Sequence, residues 1–233
     1  MSNKALEVCT LFAGPSLQGV DKKLLCGSGL VLCPPIRHGD IENIVAHSPP
    51  SNLAIVDGVF HAHPAVGHSE ILDALNAGWR IWGLSSMGAI RACEMDTLGM
   101  IGFGEVYRQF SSDPELSDDE VTLIHQAQEP YLSLSEPLIH IRQFLKQWMA
   151  EQIITRTQEQ YILNHLKNIW YGYRTLNYLK KLLLTLPVDE KQIDNAIDNF
   201  QPHRIKTLDL TNFLKLQPWT RTVKSNDASR NIK

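Results

Sequence analysis

The chain has 233 residues, of which 43% are hydrophobic and 20% charged, and carries a formal net charge of -3. That length can bury a core without a disulfide or a structural metal. The slight acidity argues against a nucleic-acid binder, which presents a basic face.

Cys9, Cys26, Cys33 and Cys93 form no C-x-x-C pair and lie in apolar stretches. They read as reduced thiols of a cytoplasmic protein rather than as zinc ligands or disulfides. The opening "MSNKALEVCTLFAGPSL" has a short apolar run that stops at Gly-Pro with no cleavage-site pattern, so neither a signal peptide nor an anchor is expected. No apolar run approaches the roughly 18 residues of a spanning helix, and no membrane partner is expected.

In chain order, four short apolar runs read as strands: Leu6–Phe12, Gly29–Cys33, Leu53–Val56 and Trp79–Leu84. They are nearly continuous in apolar character, as strands covered on both faces are. Between the third and fourth lies "HSEILDALNAG", with Ile71, Leu72 and Leu75 at helical spacing and Gly78 at the stop. This βαβ pattern predicts an α/β fold with a parallel-sheet N-terminal core. Gly99, Gly102 and Gly104 mark a loop or a short helical connection, and the acidic "SSDPELSDDEV" reads as a solvated turn-rich stretch. Ser135-Glu136-Pro137 then opens a helix carrying Leu138, Ile141, Phe144, Leu145 and Trp148. Thr157–Leu184 reads as one long amphipathic pattern broken only by Gly172. The expected organisation is an α/β core over 1–125, a mostly helical C-terminal part packed on it over 126–221, and a flexible tail over 222–233.

Open α/β sheets place their sites at the C-terminal ends of strands. Asp57 stands at one such end and Ser85-Ser86 at another. In "GLSSMGAIRACE" the apolar strand stops at two serines just where helical spacing begins. Two readings stand side by side: Ser86 caps the helix, or it is a nucleophile held on a strand-to-helix turn. In the second case the free amides near Met87 and Gly88 would receive a developing oxyanion. Arg91 and Glu94, three apart, either pair with each other or face the site. His61 and His63 are placed like metal ligands, but no third ligand completes a pattern, so no metal and no cofactor is expected. His68 precedes the helix that holds Ser69 and Glu70.

Together, "FAGPSL" (Phe12 to Leu17), "PPIRHGD" (Pro34 to Asp40), "IVDGVFHAHPAVGHSEIL" (Ile55 to Leu72), "GLSSMGAIRACE" (Gly83 to Glu94), "LGMIGFGEVY" (Leu98 to Tyr107), "SDDEVTLIH" (Ser117 to His125) and "LSEPLIHIR" (Leu134 to Arg142) resemble the TfuA-like family, over about the first 145 residues. The resemblance implies a partner of YcaO-type enzymes, which use ATP to activate a peptide backbone amide. It also implies hydrolysis of a thiocarboxylated, ubiquitin-fold sulfur carrier similar to ThiS, with sulfide released for thioamide formation. The peptide or protein substrate is then met through YcaO.

The family site is described as a serine–lysine pair. The family serine falls on Ser86, and the position matching Ser85 is often alanine. Where the pattern reads "HKEIL", this chain has Ser69 in place of the lysine, and no lysine occurs between Lys23 and Lys146. Three accounts remain for the base: a histidine (His68, otherwise His61 or His63), a lysine distant in sequence that folds back, or loss of hydrolysis in favour of a recruiting role. In the last case the protein is a non-catalytic adaptor for carrier, YcaO and peptide. Asp57, His61, Met87, Gly88, Arg91 and Glu94 are the binding residues expected around the catalytic set Ser86, His68, Ser85 and Ser69.

Overall fold

A computed structural model describes residues 8–59 and 64–220. The four apolar runs become strands β1 (Cys9–Phe12), β2 (Leu30–Cys33), β3 (Asn52–Ile55) and β4 (Arg80–Leu84). A fifth strand, β5 (Ile101–Phe103), completes an all-parallel sheet of order β2-β1-β3-β4-β5. The glycines around β5 read as a loop because they mask its pattern. Gly102 is needed there because a Cβ would meet the Tyr107 ring at 2.2 Å.

Side chains alternate across the sheet, and each face has its own cover. Phe12, Leu53, Ile55 and Ile81 pack under α1 (Asp40–His47), α2 (His68–Asn76) and α3 (Met87–Glu94). Leu11, Ala54, Val56 and Trp82 face Leu210, Phe213 and Leu214 of the last long helix, α9 (Ile205–Leu216). The strands therefore lack a polar side. The chain leaves the sheet through α4 (Gly104–Ser112) and returns to it only with α9, whose Asp209 accepts the Glu105 and Val106 N–H groups that open α4.

Between these come α5 (Leu138–Ala150), α6 (Arg156–Lys167), α7 (Leu176–Leu183) and α8 (Glu190–Asp198), built around Phe144, Leu145, Leu166, Leu179 and Ile193. The pattern expected as one helix over Thr157–Leu184 is two. The chain turns at Tyr171–Tyr173, and Thr175 caps α7 by accepting the Tyr178 N–H. Arg174, 1% exposed, holds this turn by donating to Leu166 O and to Asp119 O and Oδ2. The acidic stretch expected to be a solvated face is thus partly internal: Asp119 pairs with Arg174, and the buried Glu120 with Arg142. The expected tail at 222–233 lies outside the described residues.

The β4–α3 turn is the tightest junction at the site. An ideal Cβ on Gly88 would lie 1.7 Å from Ile55 O, and one on Gly83 would lie 2.1 Å from Gly88 O. Helix and strands meet through bare backbone, which leaves no room for a methyl group. Gly88→Ala is expected to cost about 2–3 kcal/mol, read as a lower urea midpoint at unchanged slope.

Candidate functional site

In a parallel sheet of this order the switch point lies between β1 and β3, where crossovers leave in opposite directions and a crevice opens at the strand ends. The β1 end continues as Ala13-Gly14-Pro15-Ser16 and the β3 end as Val56-Asp57-Gly58. Asp57, 3% exposed, staples the two together. Its Oδ2 accepts the Gly14 and Ser16 N–H groups, each at 2.9 Å, and its Oδ1 accepts the Ser16 hydroxyl at 2.8 Å.

A cavity of about 300 Å³ opens over this junction. Ser86, Asp57, Arg37, His125 and Tyr171 are among the residues that line it, and Lys206 reaches it from α9. Ser86 is the N-cap residue of α3, but its side chain makes no capping hydrogen bond among the described residues. Capping therefore does not account for it. Of the two amides expected to receive an oxyanion, the Gly88 N–H is already donated to Val56 O at 3.3 Å. The Met87 N–H, at the first helical position, has no acceptor within its own helix.

Ser85 is different from Ser86. It lies in the left-handed region at φ 64°, and the Ser86 N–H donates across it to Leu84 O at 2.7 Å. This tight turn costs a non-glycine residue about 1–3 kcal/mol. The Ser85 hydroxyl is fully buried and donates to Lys206 O at 2.9 Å, so it is spoken for.

Lys206 is the residue that reading the motifs missed. Its side chain is 3% exposed, its Nζ donates to Val121 O at 3.0 Å, and Asp57 Oδ1 lies 3.9 Å away, beyond hydrogen-bond length. Burial pushes the ammonium below the usual lysine range, against the opposing pull of Asp57 and Glu136. Behind it, His140 Nδ1 lies 2.9 Å from Glu136 Oε2, and Arg204 also reaches Glu136. Burial lowers the His140 pKa. Burial alone would raise the Glu136 carboxyl, yet His140 and Arg204 hold it below the usual range.

The other expected site residues that are described do not line this cavity. His68 is exposed and lies 2.8 Å from Glu94, which also pairs with Arg91 at 2.6 Å. Arg91 further donates to Val66 O. The pairing alternative for Arg91 and Glu94 is the one realised. Ser69 is exposed on α2 beside Glu70, whose buried carboxylate accepts from Gly67 and Gly39 and meets His38. Met87 packs against Gly58, where a Cβ would meet its sulfur at 2.1 Å. His61 and His63 lie outside the described residues.

The family model described as TfuA-like protein matches residues 57–175, just over half of the chain. No curated sequence matches at a significant level. The matched span runs from the Asp57 staple through the Ser86 turn to the end of the Tyr171 turn. Lys206 lies beyond it. No helix of the described residues is long and apolar enough to cross a membrane. A match over that span places the chain: it belongs to the TfuA-like family, and its role is one associated with YcaO thioamidation.

Proposed function

We propose that the protein hydrolyses the thiocarboxylated C-terminus of a ubiquitin-fold, ThiS-like carrier and so releases sulfide for a YcaO partner, with Ser86 as nucleophile and Lys206 as base. The observation that carries this reading is the presence of Ser86 and a desolvated Lys206 in one cavity. A neutral amine accepts a serine proton, and burial keeps the amine neutral at lower pH than in water. The lysine distant in sequence thus supplies what position 69 lacks.

The chemistry runs in two steps. Ser86 Oγ attacks the thiocarboxylate carbon as its proton passes to Lys206 Nζ, and the Met87 N–H faces the developing oxyanion. Collapse breaks the C–S bond. Lys206 returns the proton to sulfur, so hydrosulfide leaves and an ester remains on Ser86. Water activated by the same amine then cleaves the ester to carboxylate and restores the serine. An anionic thiocarboxylate resists a nucleophile unless its charge is met. Arg37 in the cavity wall, whose guanidinium has no ion pair among the described residues, offers that charge.

A non-catalytic adaptor is the second reading. It is favoured by Trp170 and Tyr173, 54% and 63% exposed, whose rings stand 5.4 Å apart on either side of the cavity residue Tyr171. An adaptor keeps full function without Ser86, whereas a hydrolase does not.

Sulfide released from thiocarboxylated carrier by the purified protein is the direct test. Ser86→Ala should abolish release while leaving carrier binding intact, and Lys206→Met should reduce it about 10²–10⁴-fold. Undiminished release by Ser86→Ala would remove the serine from this role. The rate should rise with pH on a limb whose midpoint lies below the ordinary lysine value of about 10.4. Asp57→Asn removes the anion that favours the ammonium, so that midpoint should move to lower pH. Arg37→Ala should lower kcat/KM about tenfold or more, with kcat falling as well as KM rising, because the charge it meets sits on the reacting group.

A further inference from the structure

We propose that Ser85 and His140 are positioning residues that clamp the two ends of the Lys206 main chain and so aim its amine into the cavity. The inference rests on the reading of Lys206 as base, and goes beyond it by assigning two residues that touch neither substrate nor the reacting atoms.

The start of α9 has no cap of its own. Arg204 is its N-cap residue and makes no capping side-chain bond among the described residues. The Lys206 N–H, one of the orphan donors of a helix start, instead donates to His140 Nε2 at 3.4 Å. With Nε2 accepting, the proton of a neutral imidazole sits on Nδ1, where Glu136 Oε2 receives it at 2.9 Å. The Lys206 carbonyl oxygen accepts the Ser85 hydroxyl at 2.9 Å. The next residue, Thr207, donates its hydroxyl to Gln18 O at 3.0 Å. The peptide that carries the amine is therefore held from α5, from the β4 turn and from the β1 loop.

The conformation of Ser85 supplies the second argument. At φ 64° glycine is free of strain, and serine is not. A serine kept in such a place is expected to use its hydroxyl. This hydroxyl is fully buried and among the described residues meets only the Lys206 carbonyl, so it is not a nucleophile. The adjacent serines divide the work: Ser86 lines the cavity, and Ser85 ties the turn that carries Ser86 to the helix that carries Lys206. Nucleophile and base come from elements 120 residues apart in sequence, and this bond joins them directly.

The charged and titratable groups that act on the amine are Asp57 beyond β3, Glu136 before α5 and His140 on α5, and Arg204 before α9 acts on His140. The test reads the amine itself. Acetic anhydride is pulsed at a series of pH values and acetylation of the Lys206 peptide is followed by mass spectrometry. In wild type the midpoint should fall below that of surface lysines. Ser85→Gly suits the left-handed turn and should fold normally, yet its Lys206 midpoint should move toward the surface value, with kcat lowered about tenfold and KM unchanged. His140→Leu should act in the same direction. His140→Gln, whose Oε1 can accept the Lys206 N–H, should keep the wild-type labelling profile.

Unchanged labelling and kcat in both Ser85→Gly and His140→Leu would overturn the inference. Full sulfide release by Lys206→Met would instead overturn the role of Lys206 as base, and the labelling separates the two failures because it needs no turnover.

Discussion

A lysine amine largely withdrawn from water at the edge of a cavity is the constraint around which the site is built. An ammonium has three protons to place, and Lys206 Nζ makes one hydrogen bond among the described residues, to Val121 O. Asp57 is close enough to attract the charge but too far to bond it, and its oxygens are already engaged by Gly14 and Ser16. Desolvation therefore outweighs the pull of Asp57 and Glu136, and the ammonium is pushed below the usual lysine range. The same carboxylate that tempers Lys206 holds the β1 and β3 ends in register at the switch point. Structure and chemistry here share one residue.

The tight β4–α3 junction follows from the same need. Helix α3 approaches β3 so closely that Gly88 cannot carry a side chain, and this brings the Ser86 turn level with the Asp57 staple. The backbone pays for the approach in strain at Ser85, whose hydroxyl then reaches α9. The helical half contributes from the other side: Arg174 and Arg142 pull the acidic 118–120 turn inward, and the loop after it supplies Val121 and His125 to the cavity.

How much of this was legible in the sequence depended on the range of each interaction. Strands β1 to β4 and helices α2 and α5 were readable because burial on one or two faces writes itself into local spacing. The Ser86 turn and Asp57 were readable as strand ends. β5 was hidden by glycines that serve close packing with Tyr107, and the α6–α7 break was hidden by apolar spacing that stays in phase across the turn. Lys206 could not be placed, because nothing local marks a lysine near the start of a helix apolar on most sides. Its significance comes from His140, Ser85 and Asp57, which are 66, 121 and 149 residues away in sequence. His68 looked like a base for the opposite reason: it stands next to position 69, where the family pattern carries its lysine, but in the fold it pairs with Glu94 outside the cavity. A folded-back lysine was one of three open possibilities, and only tertiary structure brings such a residue to the cavity.

Hydrolysis by Ser86, as proposed, requires the carrier's acyl carbon to pass through an ester on its Oγ. Intact-protein and peptide mass spectrometry on the protein mixed with thiocarboxylated carrier, quenched in acid within the first turnover, tests it most directly. The expected adduct has the mass of the carrier less hydrogen sulfide, maps to the peptide containing Ser86 and is absent from Ser86→Ala. Sulfide released with no adduct at any quench time, or an adduct that persists in Ser86→Ala, would contradict it.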